Sequence, residues 1–341
     1  MLIREGILGC IGNTPMMRLS GLRPPGGAEI LLKLESWNAS GSVKARAAEG
    51  MLAAARQRGD LQDGQAVVEP SSGNLGIALA MACAARGLDC TLVVDPRMTA
   101  YSTGVMTGYG AHVECVREPD ERGSWQGSRL QVAREIAQAT GAYMCYQYGN
   151  PDNPATHYRT TGREVVSQLG RSPDVCVVGV STGGQLTGVG ARLKENGPCR
   201  MAAVDVEGSS IFGGRYHPYR LRGLGLSWWP DNLDAAVIDA AYRLPEGLAF
   251  RSALLLARTT GILSGGSAGA VLAVAVAEAS QLTSDNTVVA VIAEQGDRYL
   301  RQFYDPAWRD EFGFQDAPEP QCWFQECQDL RPLARRSWSG S

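Results

Sequence analysis

The sequence predicts an α/β protein with two lobes, each containing a mostly parallel, twisted sheet flanked by helices. Short apolar segments alternate with alanine-rich segments of helical length, which is typical of parallel sheets covered by helices on both faces. Several apolar segments lack polar alternation, so we expect both faces of those strands to be buried. With 341 residues, the chain is long enough for two lobes.

The predicted elements follow one another in a regular order. Strands are expected at residues 66–69, 90–95, 112–116, 175–180, 201–206 and 287–293. Helices are expected to begin at Lys44 and within the loop 264–269, to cover 74–85 and 127–139, to lie between the second and third strands, and to end at Lys194. The segment after about Phe314 is rich in Pro, Gln and Trp, and we expect it to extend beyond the core.

Composition argues against several classes of function. A net charge of −3 is not that of a general nucleic-acid binder. No apolar run reaches the length of a membrane span, and the first residues lack a signal-peptide pattern, so we expect a cytoplasmic protein without a membrane partner. The nine cysteines form no CxxC pair and mostly lie in apolar segments, which predicts reduced core residues and neither a disulfide framework nor a metal site.

Lys44 stands out because lysine is rare in this chain. Lys33, Lys44 and Lys194 are the only lysines among 32 basic residues. Arginine can supply a charge, but it cannot supply a primary amine that loses its proton and forms a Schiff base. Lys44 follows a loop of small residues and opens an alanine-rich helix, so it is the candidate for such an amine. The alternative is a surface lysine at a helix start, where a cation opposes the macrodipole.

Four loops of small residues join strands to helices, at 40–44, 71–76, 181–185 and 264–269. In open α/β folds, ligands bind at the carboxyl ends of the strands, where these loops lie. The loop 71–76 carries hydroxyls and backbone N–H groups that suit a carboxylate, although serine and asparagine also cap helices without any ligand.

The loop 181–185, Ser-Thr-Gly-Gly-Gln, follows a buried strand and opens a helix, as binding of a dianionic phosphate requires. It matches neither the Gly-x-Gly-x-x-Gly fingerprint nor a Walker A loop, which argues against a dinucleotide or ATP. Ser267 adds a lone hydroxyl, for which helix capping is again the alternative. Together these groups suit pyridoxal phosphate: a lysine for its aldehyde, a phosphate cup, a carboxylate nest for the substrate and a hydroxyl for the pyridine nitrogen.

These loops, in this order, resemble the fold type II pyridoxal-phosphate enzymes, the cysteine synthase and cystathionine β-synthase family. The resemblance covers roughly residues 7 to 310 and is specific as an ordered set of motifs. The motifs lie at 11–15, 33–35, 41–44, 72–74, 147–151, 157–158, 181–184, 265–267 and 296–300. We expect neither a haem segment nor a C-terminal regulatory domain of the cystathionine synthase type.

The resemblance implies a domain organisation and a set of site residues. It implies a smaller mobile lobe at 38–144, a larger cofactor-binding lobe from 1–37 plus 145–313, a C-terminal extension at 314–341, and a homodimer. The implied cofactor-binding residues are Lys44, which is also catalytic, with Asn74, Ser181, Thr182, Gly183, Gly184, Gln185 and Ser267. The implied substrate-binding residues are Ser71, Ser72, Gly73, Arg129, Gln147, Tyr148 and Ser181. The chain departs from the family pattern at Ala45, which replaces an Asp, and at Gln185, which replaces a Thr.

Further details resemble the branch of N-(2-amino-2-carboxyethyl)-L-glutamate synthases, which join O-phospho-L-serine to L-glutamate toward 2,3-diaminopropionate for siderophores and peptide antibiotics. These details are Leu75 and the stretches 93–97, 118–120 and 206–213. Arg129 matches the phosphate-recognising arginine of this branch, although a solvated helix charge is the alternative. Residues 215–222 are the candidate for the glutamate carboxylates, or else a mobile loop that closes the lobes; the candidates there are Arg215, Tyr216, His217, Arg220 and Arg222.

The resemblance implies β-replacement through an aminoacrylate, with Lys44 as the base that takes the Cα proton. A hydroxyl at Ser267 does not enforce a protonated pyridine ring, which favours β-elimination over transamination. The nearest alternative is a cysteine synthase that uses O-phosphoserine or O-acetylserine with sulfide. Retention of Lys44 and the loops argues against a non-catalytic scaffold. The missing glycine fingerprint argues against a nicotinamide dehydrogenase.

Overall fold

The computed structural model describes residues 3–121, 123–335 and 338 of the chain, and strands alternate with helices along them. The strands are β1 Met16–Arg18, β2 Glu29–Lys33, β3 Val67–Pro70, β4 Cys90–Val94, β5 His112–Cys115, β6 Tyr143–Met144, β7 Val175–Gly179, β8 Arg200–Val206, β9 Ala240–Leu244 and β10 Thr287–Val291. The helices are α1 Lys44–Arg58, α2 Asn74–Arg86, α3 Ala100–Gly108, α4 Trp125–Thr140, α5 Asp152–His157, α6 Arg163–Leu169, α7 Gly184–Asn196, α8 Glu246–Thr260, α9 Gly266–Ser280, α10 Pro306–Phe312 and α11 Pro320–Gln328. A π-helical segment, Tyr158–Gly162, joins α5 to α6.

The strands form two separate sheets, as predicted. One has six strands in the order β1-β2-β10-β7-β8-β9, and the other has four in the order β5-β4-β3-β6. Every pairing is parallel except that of β1 with β2. The prediction of an α/β fold with mostly parallel sheets is therefore confirmed, whereas the lobe boundaries at 38–144 and 145–313 stay a prediction.

The central strands β10 and β7 of the larger sheet are almost entirely apolar, as expected for strands with helices on both faces. All five residues of β10 are buried, and so are the first four residues of β7. Against this sheet, α9 packs closely on α8 because small residues line the contact. A Cβ atom at Gly269 would lie 2.0 Å from the backbone oxygen of Ala249, so no larger residue fits there.

Helix α4 begins two residues earlier than predicted, at Trp125 instead of residue 127. The reason is a cap that the sequence analysis did not identify: the Ser124 hydroxyl accepts a hydrogen bond from the backbone N–H of Gly127 at 3.3 Å. Helix α2, in contrast, begins at Asn74 as predicted. None of the helices in the described residues is long and apolar enough to cross a membrane.

Two tryptophans of the C-terminal segment pack into the hydrophobic core beside the larger sheet, while the bounds of the extension stay a prediction. Trp323 in α11 is fully buried, and its indole N–H donates to the Ser252 hydroxyl of α8 at 2.8 Å. Trp338 packs edge-on against Phe212, with ring centroids 5.7 Å apart. A compositional bias toward Pro and Gln gave no sign of these two anchors, because each depends on a partner distant in sequence.

Truncating the buried anchor of this segment is expected to destabilise the protein. We predict that Trp323→Ala lowers the free energy of unfolding by about 3 to 5 kcal/mol, because it leaves a large cavity and removes the indole N–H that donates to the Ser252 hydroxyl. Chemical denaturation measures this change. Trp37→Ala is the matched control, since Trp37 is 67% exposed. Equal small effects of both substitutions would contradict the placement of α11 in the core.

Candidate active site

A cleft of about 430 Å³ contains most of the residues singled out from the sequence, a volume that suits a small-molecule site. From the segment of the four-stranded sheet, it is lined by the loop 71–75 and Arg129. From the rest of the chain, it is lined by Gln147, Tyr148, Ser181 and Thr182. A smaller inner compartment shares Lys44 and Asn74 with the cleft and adds Gly183, Gln185, Ser267 and Glu294. Gly184 lines neither space and begins α7 directly beside Gly183.

Lys44 is the first residue of α1, and its amine points into the cleft. The Nζ atom lies 3.5 Å from the Thr182 hydroxyl oxygen. Burial lowers the pKa of Lys44 from 10.5 to about 8, although the negative charges of Glu294 and Glu69 act in the opposite direction. The unprotonated fraction of the amine near neutrality is therefore larger than that of an ordinary lysine, which favours a role as a nucleophile or a base.

The lowered pKa of Lys44 predicts how the protein without cofactor takes up pyridoxal phosphate. Only the neutral amine attacks an aldehyde, so the rate of uptake, followed by absorbance, is expected to rise with pH and to level off above about 8. Glu69→Gln removes a negative charge that raises the pKa of Lys44, so it is expected to shift this midpoint to lower pH. A rate that keeps rising toward 10.5, the ordinary pKa of lysine, would contradict the burial of this amine.

Backbone geometry at the start of α7 forms a cup for an anion. Gly183 has a φ of +81°, and a Cβ atom there would lie 2.6 Å from Leu233, so only glycine fits. Helix α7 then begins at Gly184, and no side chain caps its N-terminus. The Gln185 side-chain nitrogen is buried without a partner. These donors and the helix dipole suit the phosphate of pyridoxal phosphate, and Gln185 supplies an N–H where the family usually has a hydroxyl.

The two serines of the loop before α2 make different contacts. The Ser71 hydroxyl accepts a hydrogen bond from the backbone N–H of Gly76 at 3.0 Å in the first turn of α2, and its role in binding substrate stays a prediction. The Ser72 hydroxyl accepts from the backbone N–H of Asp95 at 3.0 Å and from Arg129 Nη1 at 2.8 Å. Gly73 precedes α2 with no side chain and lies in the cleft.

Arg129 is part of a buried charge cluster, not a solvated helix charge. Its side chain is almost fully buried, and its Nε lies 3.3 Å from the Asp95 carboxylate. Burial by itself would raise the pKa of Asp95, but the hydrogen bond from Arg97 and the charges of Arg129 and Arg97 lower it below its ordinary value. Asp95 is therefore a fixed anion that orients two arginines at the cleft. Sequence analysis did not identify Asp95 or Arg97 as site residues.

Gln147 and Tyr148 line the cleft, and a buried carboxylate holds the backbone directly before Tyr148. Glu69 at the end of β3 accepts hydrogen bonds from the backbone N–H groups of Tyr146 at 2.8 Å and Gln147 at 3.2 Å. Burial raises the pKa of Glu69 to about 7, although these hydrogen bonds lower it. The segment 146–148 is thereby fixed to the four-stranded sheet.

Ser267 and Asn74 meet at a carboxylate that the sequence analysis did not identify. The Ser267 hydroxyl donates to Glu294 Oε1 at 3.0 Å, and the Asn74 amide donates to Glu294 Oε2. Glu294 follows the buried strand β10 and directly precedes the motif at 296–300, which was the available signal. An acidic residue after an apolar strand of a parallel sheet lies at the edge where ligands bind.

The candidate loop for a second substrate lies only partly in the cleft. Tyr216, Arg220 and Arg222 line it, whereas Arg215 and His217 are not among its lining residues. The Arg222 guanidinium donates to the backbone oxygen of Arg97, which links this loop to the opposite wall. The backbone N–H groups of Arg220 and residue 221 both donate to the Glu246 carboxylate, so the loop is anchored near its end.

Comparisons with known proteins agree with this geometry. The model of the family described as "Pyridoxal-phosphate dependent enzyme" matches residues 7–294. The chain is 36% identical over 309 residues to N-(2-amino-2-carboxyethyl)-L-glutamate synthase of Ralstonia nicotianae, covering 90% of this chain and 91% of that protein. It is 35% identical to cysteine synthase of Staphylococcus aureus, covering 87% and 95%. The crystal structure of O-ureido-L-serine synthase superposes with a TM-score of 0.83 at 32% identity, covering 95% and 100%.

Proposed function

Because the chain belongs to the pyridoxal-phosphate dependent enzyme family, we propose that it joins O-phospho-L-serine to L-glutamate by β-replacement. The products are N-(2-amino-2-carboxyethyl)-L-glutamate and phosphate, a step toward L-2,3-diaminopropionate. The cofactor is pyridoxal phosphate, and the synthases similar to this chain support a β-replacement reaction as the general chemistry.

The charges that line the cleft are the observation that favours these two substrates. Among the described residues that line it are five arginines and a single carboxylate, that of Asp95; the arginines are Arg97, Arg129, Arg220, Arg222 and Arg298. O-phosphoserine carries a phosphate and a carboxylate, and glutamate carries two carboxylates. Guanidinium groups bind both kinds of anion through paired N–H donors. This excess of arginines over carboxylates is larger than a cysteine synthase would require for an uncharged acetyl ester and sulfide.

Each part of the reaction has a candidate group in this arrangement. Pyridoxal phosphate, when bound, supplies the aldehyde that condenses with amines and the ring that accepts the electron pair from Cα. Lys44 holds the cofactor, takes the Cα proton and later returns it. The loop 71–74 binds the substrate carboxylate, and Arg129 binds the phosphate ester. Overall, the Cβ–O bond to phosphate breaks and a Cβ–N bond to glutamate forms, with loss of one proton from the attacking nitrogen.

A cysteine synthase is the second candidate, and the similarity to the Staphylococcus aureus enzyme favours it almost equally. In that case, the Cβ–O bond would be exchanged for a Cβ–S bond with sulfide. Asp95 would then still orient Arg97 and Arg129, but Arg220 and Arg222 would have no anion to bind. The two candidates therefore differ in the nucleophile and share the cofactor and Lys44.

A parallel assay separates the two candidates. The purified protein with bound cofactor is incubated with O-phospho-L-serine and either L-glutamate or sulfide, and the products are identified by mass spectrometry. We expect a condensation product with glutamate and release of phosphate. Formation of cysteine without any glutamate adduct would reject the proposed nucleophile and leave the cofactor chemistry in place.

We also propose a homodimer in the cytoplasm. The homodimer is implied by the resemblance noted in the sequence, and size-exclusion chromatography with light scattering tests it. The location is supported by the nine free cysteines, six of them buried, which suit a compartment where thiols stay reduced.

A further inference from the structure

Arg222 is a half-buried arginine of the cleft that lies directly beside the inner compartment. The next residue, Gly223, lines both the cleft and the compartment, and a Cβ atom there would lie 3.3 Å from Ser267 Oγ. The Arg222 guanidinium extends to the opposite wall, where it donates to the backbone oxygen of Arg97. An amino acid that approaches the compartment through the cleft therefore meets this guanidinium.

Most donors of Arg222 have no acceptor in the protein. Its Nη2 donates to Arg97, whereas its Nε and Nη1 make no hydrogen bond within the residues that the structure describes. The single carboxylate among the described residues that line the cleft, that of Asp95, pairs with Arg97 and Arg129 instead. An arginine without a counter-ion in a cleft attracts an anionic ligand, because its charge is not compensated within the protein.

Arg97 presents further donors from the opposite wall. Its Nε donates to Asp95 Oδ1 at 3.0 Å, and its two terminal nitrogens have no acceptor in the described part of the chain. Asp95 also lies 3.3 Å from Arg129, so one negative charge is shared between two guanidinium groups. Arg97 and Arg222, which we term the arginine pair, therefore bring positive charge from both walls of the cleft.

The other three arginines of the cleft are committed elsewhere. Arg129 is the proposed site for the phosphate ester. Arg298 donates to the backbone oxygen of Ser40, and its Nε and Nη1 are buried, so they are not accessible to a ligand in the cleft. The guanidinium of Arg220 lies over the ring of Phe312, 4.1 Å from the centroid. The arginine pair is thus left for a second anion.

We propose that the arginine pair binds the side-chain carboxylate of the amino acid that attacks Cβ, and that Arg222 selects a dicarboxylic amino acid as the nucleophile. Every amino acid carries an α-carboxylate, so only contacts with the side chain can select glutamate. Guanidinium groups bind a carboxylate through paired N–H donors and give much less to a neutral amide. This inference rests on the proposed function and names the residue that decides its second substrate.

The test separates the two halves of the reaction in the protein with bound pyridoxal phosphate. Rapid mixing with O-phospho-L-serine alone measures the first release of phosphate, and steady-state kinetics with L-glutamate measures the second half. Arg222→Gln keeps an N–H donor for the backbone oxygen of Arg97 but removes the charge. We expect KM for glutamate to rise roughly 10- to 100-fold, while the rate of the first phosphate release changes much less.

Two further variants and a second nucleophile complete the experiment. Arg222→Lys keeps the charge without the planar fork and is expected to recover part of the affinity for glutamate. Arg301→Gln is the matched control, since Arg301 is exposed and is not among the residues that line the cleft, and it is expected to leave KM unchanged. The wild type is expected to prefer glutamate to L-glutamine at least roughly tenfold in kcat/KM, and Arg222→Gln is expected to lose this preference.

The outcomes distinguish this inference from the proposed function. A wild type that makes the glutamate adduct, with an unchanged KM and preference in Arg222→Gln, would overturn the inference and leave the proposed function standing. Equal losses for glutamate and glutamine in Arg222→Gln would also overturn it, because they would show that the contact with Arg97 only holds the two walls together. A wild type that releases phosphate but forms no glutamate adduct would overturn both.

Discussion

Lys44→Arg is expected to lower turnover by at least roughly 10³-fold, because it removes the group that holds the cofactor and moves the Cα proton. Arginine keeps the positive charge at the start of α1, so electrostatic attraction for anionic substrates is preserved. A guanidinium cannot form the covalent link to an aldehyde. The absorbance band of the covalently held cofactor is therefore expected to disappear together with activity.

Lys194→Arg is the matched control for this substitution. Lys194 pairs with Asp239 at 2.8 Å on the surface, and arginine can make the same ion pair. We expect the control to keep both the absorbance band and the turnover number. If Lys44→Arg kept the band, another amine would have to hold the cofactor. The only other lysine is Lys33, which is buried and bound to Glu164.

Arg129→Ala is expected to lower kcat/KM for O-phospho-L-serine by roughly 10- to 100-fold, as loss of hydrogen bonds to a charged group requires. The same substitution is expected to change kcat/KM for O-acetyl-L-serine much less, because an acetyl ester carries no charge at the leaving group. Steady-state kinetics with both substrates measures the ratio. Equal losses on both substrates would reject Arg129 as the phosphate-binding residue.

Two further variants separate phosphate recognition from the structural contacts of Arg129. Ser72→Ala removes the hydroxyl that Arg129 contacts at 2.8 Å, so a role in holding the loop is expected to affect both substrates equally. Arg134→Ala changes an exposed arginine on the same helix and is expected to affect neither. Only the phosphate-binding role predicts a loss that depends on the leaving group.

Where the signal is local, sequence alone predicts the class of fold and locates candidate site residues, whose roles stay predictions. Lys44 and the cup at 181–185 are each fixed by residues adjacent in the chain, and strand alternation gives the class of fold. Glu294 was missed because its partners Asn74 and Ser267 lie 220 and 27 residues away. The arginine excess in the cleft was missed for the same reason, since only tertiary structure brings Arg97 and Arg222 together. Spacing and composition carry no information on such contacts.

The order of the strands has a consequence for synthesis on the ribosome. All four strands of the smaller sheet are complete once residue 144 has been made, so that sheet can form while translation continues. In the larger sheet, β2 pairs with β10, so one side of β2 stays unpaired until residues 287–291 have been made. Trp323 must follow before the apolar surface beneath it is covered. The nascent larger sheet therefore has unpaired strand edges for most of the synthesis of the chain, which makes it the part more exposed to aggregation.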